Sequence, residues 1–336
     1  MTKSKKYLLA VVFLFLLVIV LSIFIPKKFH INTEFRIDVP SNMVYNVLNN
    51  LSHQPDFNNK SLLDSSFHLI CLGASKDDGA SCDYSSKRYG NGVFRIIKAI
   101  NDDSIAIADE SQDGKISLIQ YKIKQLDTLN SIVIVVAESE SGFFTNLWTF
   151  IHKWKLKKQV NKNLENLKTL LDDRFLNKNY NGYHISEVVM NQRFFVTYRA
   201  KVDFKNINEY FSKNISGLYQ KALENKITIA GMPSALIYED NKAQSYYDFA
   251  AALPTFSELN ILGLEPVTLH PHQAIFLEYK GEHSKSEKAY TALEEYLADF
   301  KLNKLIPTIE EYVTDPLSEP NPEKWVTNII YYIDHQ

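Results

Sequence analysis

Glycine and proline are scarce in this sequence, at 11 residues each in a chain of 336. That scarcity argues against a linker-rich chain, and no low-complexity region interrupts it. An excess of positive charge is also missing: the net charge is -2, so the chain has no electrostatic footprint for nucleic acid. No helix-turn-helix segment is evident. The G-x-S-x-G, P-loop, Rossmann-glycine and paired-cysteine patterns are absent too, which removes the common nucleophile, phosphate, dinucleotide and metal motifs. "HPH" (His270 to His272) offers two histidines without a third ligand nearby and reads as a loop before a strand. No metal, cofactor or catalytic residue is therefore expected.

Aromatic side chains are plentiful instead, with 20 Phe, 19 Tyr and 3 Trp. The length suits two domains with real cores, and shares of 45% apolar and 23% charged residues are those of a globular protein. Tyr7 to Ile25, "YLLAVVFLFLLVIVLSIFI", carries no charge over 19 residues. As a helix it would span roughly 28 Å, close to the hydrocarbon thickness of a bilayer. It is longer than a signal-peptide core and lacks an A-x-A site, so it reads as an uncleaved anchor. The lysines before it (Lys3, Lys5, Lys6) orient the chain with a cytoplasmic N-terminus and extracytoplasmic domains. The two cysteines, Cys71 and Cys82, flank a turn-like "LGASKDDGAS". A disulfide and two free thiols are both compatible with that spacing.

Beyond the anchor (residues 1–28), "HINTEFRIDV" alternates as a half-buried strand, and "PSNMVYNVLNNL" starts a short helix. Strand-like runs follow, among them "NGVFRIIKAI", "SIAIADE", "KISLIQYKIKQL" and "NSIVIVVAES". A helical pattern over Phe144 to Leu171 closes the region, with Leu147, Ile151, Trp154, Val160, Leu164, Leu167 and Leu171 on one face. With "VPSNMVYNVLNNLSHQPDFNN" and "GASCDYSSKRYGNGVFRI", residues 29–176 resemble the polyketide cyclase/START-like (SRPBCC) superfamily. The resemblance implies a curved sheet gripping the long helix around an apolar cavity. Phe57 stands where Trp is commoner in that family.

From Tyr183 the sequence repeats itself. "RFFVTYRA" aligns with "AIFLEYKG"; each is followed by an amphipathic helix, then by "PSALIY" or "PTIEEY", then by an aromatic strand. Two β-α-β-β units of this size make one pseudo-symmetric domain, because neither half buries its sheet alone. With "GEHSKSEKAYTALEEYLADFKL" and "PTIEEYVTDPLSEPNPEKWVTNIIYYI", residues 182–334 resemble the GyrI-like effector-binding domain, a module also fused to AraC-type regulators. The resemblance implies helices on one sheet face and an aromatic cleft with a strand acid on the other. Strand parity pairs Glu310 with Tyr312 and, through the repeat, with Leu236 and Tyr238. Ile309 and Glu311 take the other face, expected to pack on the helices. Tyr198, Tyr247, Tyr279 and Trp325 are the further ligand-binding candidates.

The expected protein is thus α+β: a transmembrane helix, a START-like helix-grip domain and a GyrI-like domain. Its expected partners are an amphipathic or cationic small molecule and, through residues 7–25, a lipid bilayer, with no nucleic acid. Binding is expected rather than catalysis. The alternative is a hydrolase of the GyrI-like type with Glu310 as general base.

Overall fold

The computed structural model describes residues 12–13, 28–114, 116–140, 149–314 and 319–335. Over these the chain is a mixed α+β protein dominated by antiparallel sheets. It divides into two compact units, Met1–Leu176 and Asn177–Gln336.

One expectation is corrected at once. Among the described residues no helix is long and apolar enough to cross a membrane, which overturns the single-pass assignment with its cytoplasmic N-terminus and extracytoplasmic domains. The longest described helix, Thr149–Asn177, has lysines and acids distributed along it, which hydrocarbon would not tolerate. The segment 7–25, on which the anchor and the bilayer contact were expected, lies outside the described residues apart from Val12 and Phe13.

The first unit runs β1 (Lys28–Ile37), α1 (Ser41–Leu48), β2 (His68–Ile70), β3 (Ser81–Ser85), β4 (Gly92–Ile100), β5 (Ser104–Ser111), β6 (Ile116–Asp127), β7 (Asn130–Glu140) and α2 (Thr149–Asn177). Two single-turn helices, Gln54–Phe57 and Asn59–Leu62, separate α1 from β2. The sheet order is β1-β7-β6-β5-β4-β3-β2, with every neighbouring pair antiparallel. Period-2 alternation puts Ile31 and Ile37 of β1 and Val133, Val135 and Ala137 of β7 into the core. Val160, Leu164, Leu167 and Leu171 of α2 join them, spaced by three or four so that they share one helix face. Met43, Val44, Val47 and Leu48 of α1 add a second helical contribution.

The pairing of β2 with β3 sets Ile70 opposite Asp83, so the next positions along each strand, Cys71 and Cys82, meet and are joined by a disulfide. The bridge closes a loop of sequence separation 11.

The second unit begins with a small hairpin of β8 (Asn179–Tyr180) and β9 (Tyr183–His184). Then come β10 (Ser186–Met190), β11 (Arg193–Asp203), α3 (Ile207–Glu224), β12 (Ser234–Asn241), β13 (Tyr246–Thr255), β14 (Glu265–Leu269), β15 (His272–Lys280), α4 (Glu287–Phe300), β16 (Leu302–Lys304), β17 (Thr308–Tyr312) and β18 (Val326–His335). The main sheet runs β10-β15-β18-β17-β12-β13-β11-β14, with β16 paired to β18. Reading outward from the β17/β12 pair, each side repeats one order: second, third, then first strand of a β-α-β-β unit. The two halves are therefore related about the sheet centre.

Side-chain packing separates the two faces. On one, α3 packs Leu218, Phe211 and Ile215 against Val196, Ala251 and Leu253, while α4 packs Ala289, Leu293 and Tyr296 against Ile275, Leu277, Ile329 and Tyr331. Among the described residues no helix of this unit packs on the other face. There Phe195, Leu236, Ala250, Ala252, Ala274, Ile309 and Ile330 form a core closed by Val188 and Met190 of β10 and by Val267 and Leu269 of β14. Residues from both edge strands join this cluster, so the helix-free face is apolar across its width.

Replacing Cys71 and Cys82 together by alanine is expected to lower the stability of the first unit by about 3 kcal/mol, the chain-entropy value for a loop of this order. Denaturant unfolding followed by hydrogen exchange of the β3 and β4 amides measures this. Unchanged protection of those amides would contradict it.

Candidate functional site

β17 lies at the centre of the second sheet, between β12 and β18. Its register sets Glu310 opposite Ala235 and Ile329, and Tyr312 opposite Thr327. Ala235 packs with Phe249 beneath α3, and Ile329 packs beneath α4. Glu310 and Tyr312 therefore project from the helix-covered face, at the seam between α3 and α4. The small Ala235 leaves room for the carboxylate there.

Two tyrosyl hydroxyls hold that carboxylate. Tyr290 of α4 donates to Oε1, and Tyr312 donates to Oε2 at 2.6 Å. Aromatic rings build the walls. Tyr312 meets Phe211 of α3 edge-on at 4.8 Å and His283 edge-on at 4.8 Å. His283 lies over Trp325 at 5.4 Å, and its Nδ1 is hydrogen-bonded to Thr327 Oγ1 at 2.9 Å. Tyr331 stands 6.4 Å from Tyr290. Glu310, Tyr290, Tyr312, His283, Phe211, Tyr247 and Trp325 are all half-buried, so the seam reaches solvent and is not a sealed core.

The electrostatics are one-sided. Burial, then the Glu310 charge and the hydrogen bond to it, push the phenols of Tyr290 and Tyr312 well above their ordinary range. Burial first, then Asp240 and Glu310, push Tyr247 up to about 12. Burial pushes the His283 ring below the ordinary imidazole range, against a smaller opposing pull from Glu310 and Glu282. Near neutral pH the aromatic side chains around Glu310 are thus uncharged donors and π-faces. Among the described residues no lysine or arginine pairs with Glu310.

Glu311 has the opposite surroundings. It faces the helix-free side, where Arg193 Nη2 donates to Oε1 and Asn328 Nδ2 donates to Oε2. It lines a groove of about 420 Å³ with Arg193, Phe194, Met232 and Phe256.

The eight residues expected at the site fall into three groups. Glu310, Tyr312, Tyr247 and Trp325 share the helix-side cleft or its rim. Tyr198 and Tyr279 are on the same sheet face but stand away from the carboxylate. Tyr198 packs in the core beneath α3, and Tyr279 donates its hydroxyl to the Glu282 carbonyl. Leu236 and Tyr238 are on the opposite face, where Leu236 is wholly buried and the Arg199 guanidinium stacks 3.6 Å from the centre of the Tyr238 ring. The pairing of Glu310 with Tyr312 holds, but the face assigned to them is reversed: Ile309, not Glu310, points away from the helices. The reason is that the helix-free face is apolar and buried as well, so an apolar Ile309 fits either side. Tyr290, His283, Phe211 and Tyr331 went unnoticed. The block "GEHSKSEKAY" contains two of them, Tyr290 in the first turn of α4 and His283 in the short turn before it.

No protein-family model and no curated protein matches the sequence. Similar shapes occur among solved structures. The EcmrR C-terminal domain is 14% identical with a TM-score of 0.41, over 46% of this chain and 99% of that one. SAV2435, bound to tetraphenylphosphonium, is 14% identical with a TM-score of 0.34, over 45% of this chain and 94% of that one. A hydrolase from Listeria innocua is 13% identical with a TM-score of 0.35, over 45% and 91%. At these scores none of them assigns a ligand or a reaction to this chain.

The phenols give a direct readout of the cleft. The native fold holds Tyr290 and Tyr312 un-ionised while the unfolded chain ionises near pH 10, so stability should fall as pH rises past that value. In Glu310→Gln the charge is gone, and tyrosinate absorbance should develop at lower pH than in the parent protein. An unchanged alkaline titration would mean that the phenols do not sense Glu310.

Proposed function

We propose that the second unit is a GyrI-like effector-binding domain whose helix-side cleft binds an amphipathic organic cation against Glu310. The observation that carries this reading is the state of that carboxylate. It accepts from two tyrosyl hydroxyls, is ringed by neutral aromatic side chains, and has no cationic partner among the described residues. A half-buried carboxylate is costly to desolvate unless hydrogen bonds or an opposite charge compensate it. The phenols compensate part of that cost without cancelling the charge. A bound cation would complete it and would gain cation–π attraction from the tyrosine and tryptophan faces. Glu311 supports the contrast, because its charge is already matched by Arg193.

Under the same proposal residues 182–334 form that domain and residues 29–176 form a START-like helix-grip domain, with the long helix against the antiparallel sheet. The hydrolase reading uses the same carboxylate as a general base. With one phenol donated to each oxygen, Glu310 is held as an acceptor, which favours recognition over proton abstraction.

Tetraphenylphosphonium serves as the probe, being permanently cationic and aromatic. Glu310→Gln in the full-length chain is expected to weaken its binding about 10- to 100-fold, corresponding to roughly 1.5–3 kcal/mol for a lost interaction with a charged group. Glu311→Gln should bind as the parent does. Isothermal titration calorimetry measures both. Equal losses in the two variants, or no binding by the parent protein, would refute the assignment.

A further inference from the structure

His283 is the one imidazole in the aromatic wall of the cleft. It is wedged between two rings that belong to the site, with Tyr312 edge-on at 4.8 Å and Trp325 at 5.4 Å. Tyr312 in turn donates to Glu310, so the ring stands one side chain from the carboxylate and feels its charge. Thr327 Oγ1 fixes the orientation through Nδ1. Among the described residues Nε2 makes no hydrogen bond, so in the tautomer whose Nδ1–H donates to Thr327 Oγ1, Nε2 takes a proton without breaking one.

We infer that His283 decides when the cleft accepts a cation: neutral, it is an aromatic wall facing Glu310, and protonated, it becomes the counter-ion of Glu310 and competes with the ligand. This inference rests on the reading of the cleft as a cation site. The surrounding groups make the competition specific to Glu310. On its own segment, Glu282 is the other carboxylate acting on the ring, but Ser284 and Lys285 already engage it. Lys285 is also tied to Glu323, which precedes β18. From β17, β18 and the residue just before β18 the ring meets Tyr312, Thr327 and Trp325, none of which carries charge near neutral pH. Glu310 is therefore the uncompensated charge that a protonated His283 would pair with. Burial keeps the ring neutral at physiological pH, so the cleft is open to cations there and closes as the medium acidifies. By linkage, a cation binding at the acidic end must expel the proton from His283.

The test uses the full-length chain and tetraphenylphosphonium, whose own charge does not change with pH. Affinity should fall severalfold between pH 8 and pH 5.5, and by less than about tenfold because burial holds the ring below its ordinary range, since apparent affinity scales with the fraction of binding-competent protein. Calorimetry in buffers of different ionisation enthalpy should show proton release on binding at pH 5.5 and none at pH 8. In His283→Gln, which keeps an amide partner for Thr327, the ratio of affinities at the two pH values should shrink to about one. His283→Phe, which keeps the ring, should behave alike and covers the case in which the Gln variant folds poorly. A parent protein that fails to bind the probe even at pH 8 refutes the cation cleft itself. Binding at pH 8 with no loss at pH 5.5, or an undiminished loss in both variants, overturns the role of His283 alone.

Discussion

The second unit is organised around a carboxylate that cannot leave its sheet. Glu310 is fixed by backbone pairing on both sides, to Ala235 and to Ile329, so its side chain must project into the seam between the helices. Its two hydrogen-bond donors come from different elements, Tyr290 from α4 and Tyr312 from β17. The charge thus ties the position of a helix to the register of a strand. Loss of either donor would leave a half-buried anion with fewer partners, which is the expensive direction of the change.

The seam is a consequence of the repeat. Each helix packs on the outer strands of its own half: α3 over β11 and β13, α4 over β15 and β18. The central strands β12 and β17 lie between these two packing zones. A cleft forms there because the apolar clusters beneath α3 and α4 are separate and Ala235 fills little of the gap. Tyrosines line it because a phenol presents an apolar ring to its neighbours and a donor to the acid. Their raised pKa values keep them neutral, so the rings themselves add no charge beside Glu310.

Much of this was legible in the sequence, for reasons that can be named. Period-2 alternation and the doubled pattern "RFFVTYRA"/"AIFLEYKG" located the strands, and parity paired Glu310 with Tyr312 and separated both from Glu311. Parity does not say which side carries the helices. Ile309 is apolar, which suits a helix-covered face, but this sheet buries apolar residues on both faces, so an apolar residue is equally at home on either. Tyr290 and His283 were hidden because their roles depend on long-range packing: Tyr290 is 20 residues from Glu310, and His283 is 44 from Thr327. Cys71 and Cys82 illustrate the same limit, since their spacing allowed a disulfide but only the pairing of β2 with β3 brings them together. The apolar stretch before residue 28 led the single-pass expectation, and no described helix supports it.

The central claim is that one uncompensated carboxylate among neutral aromatic rings selects ligands by charge. Tetraphenylphosphonium and tetraphenylborate have nearly the same shape and apolar surface but opposite charge, so comparing their affinities for the full-length chain at pH 8 isolates that claim. The account predicts measurable binding of the cation and at least tenfold weaker binding of the anion, a difference of about 1.4 kcal/mol or more. Equal affinities, or a preference for the anion, would contradict it.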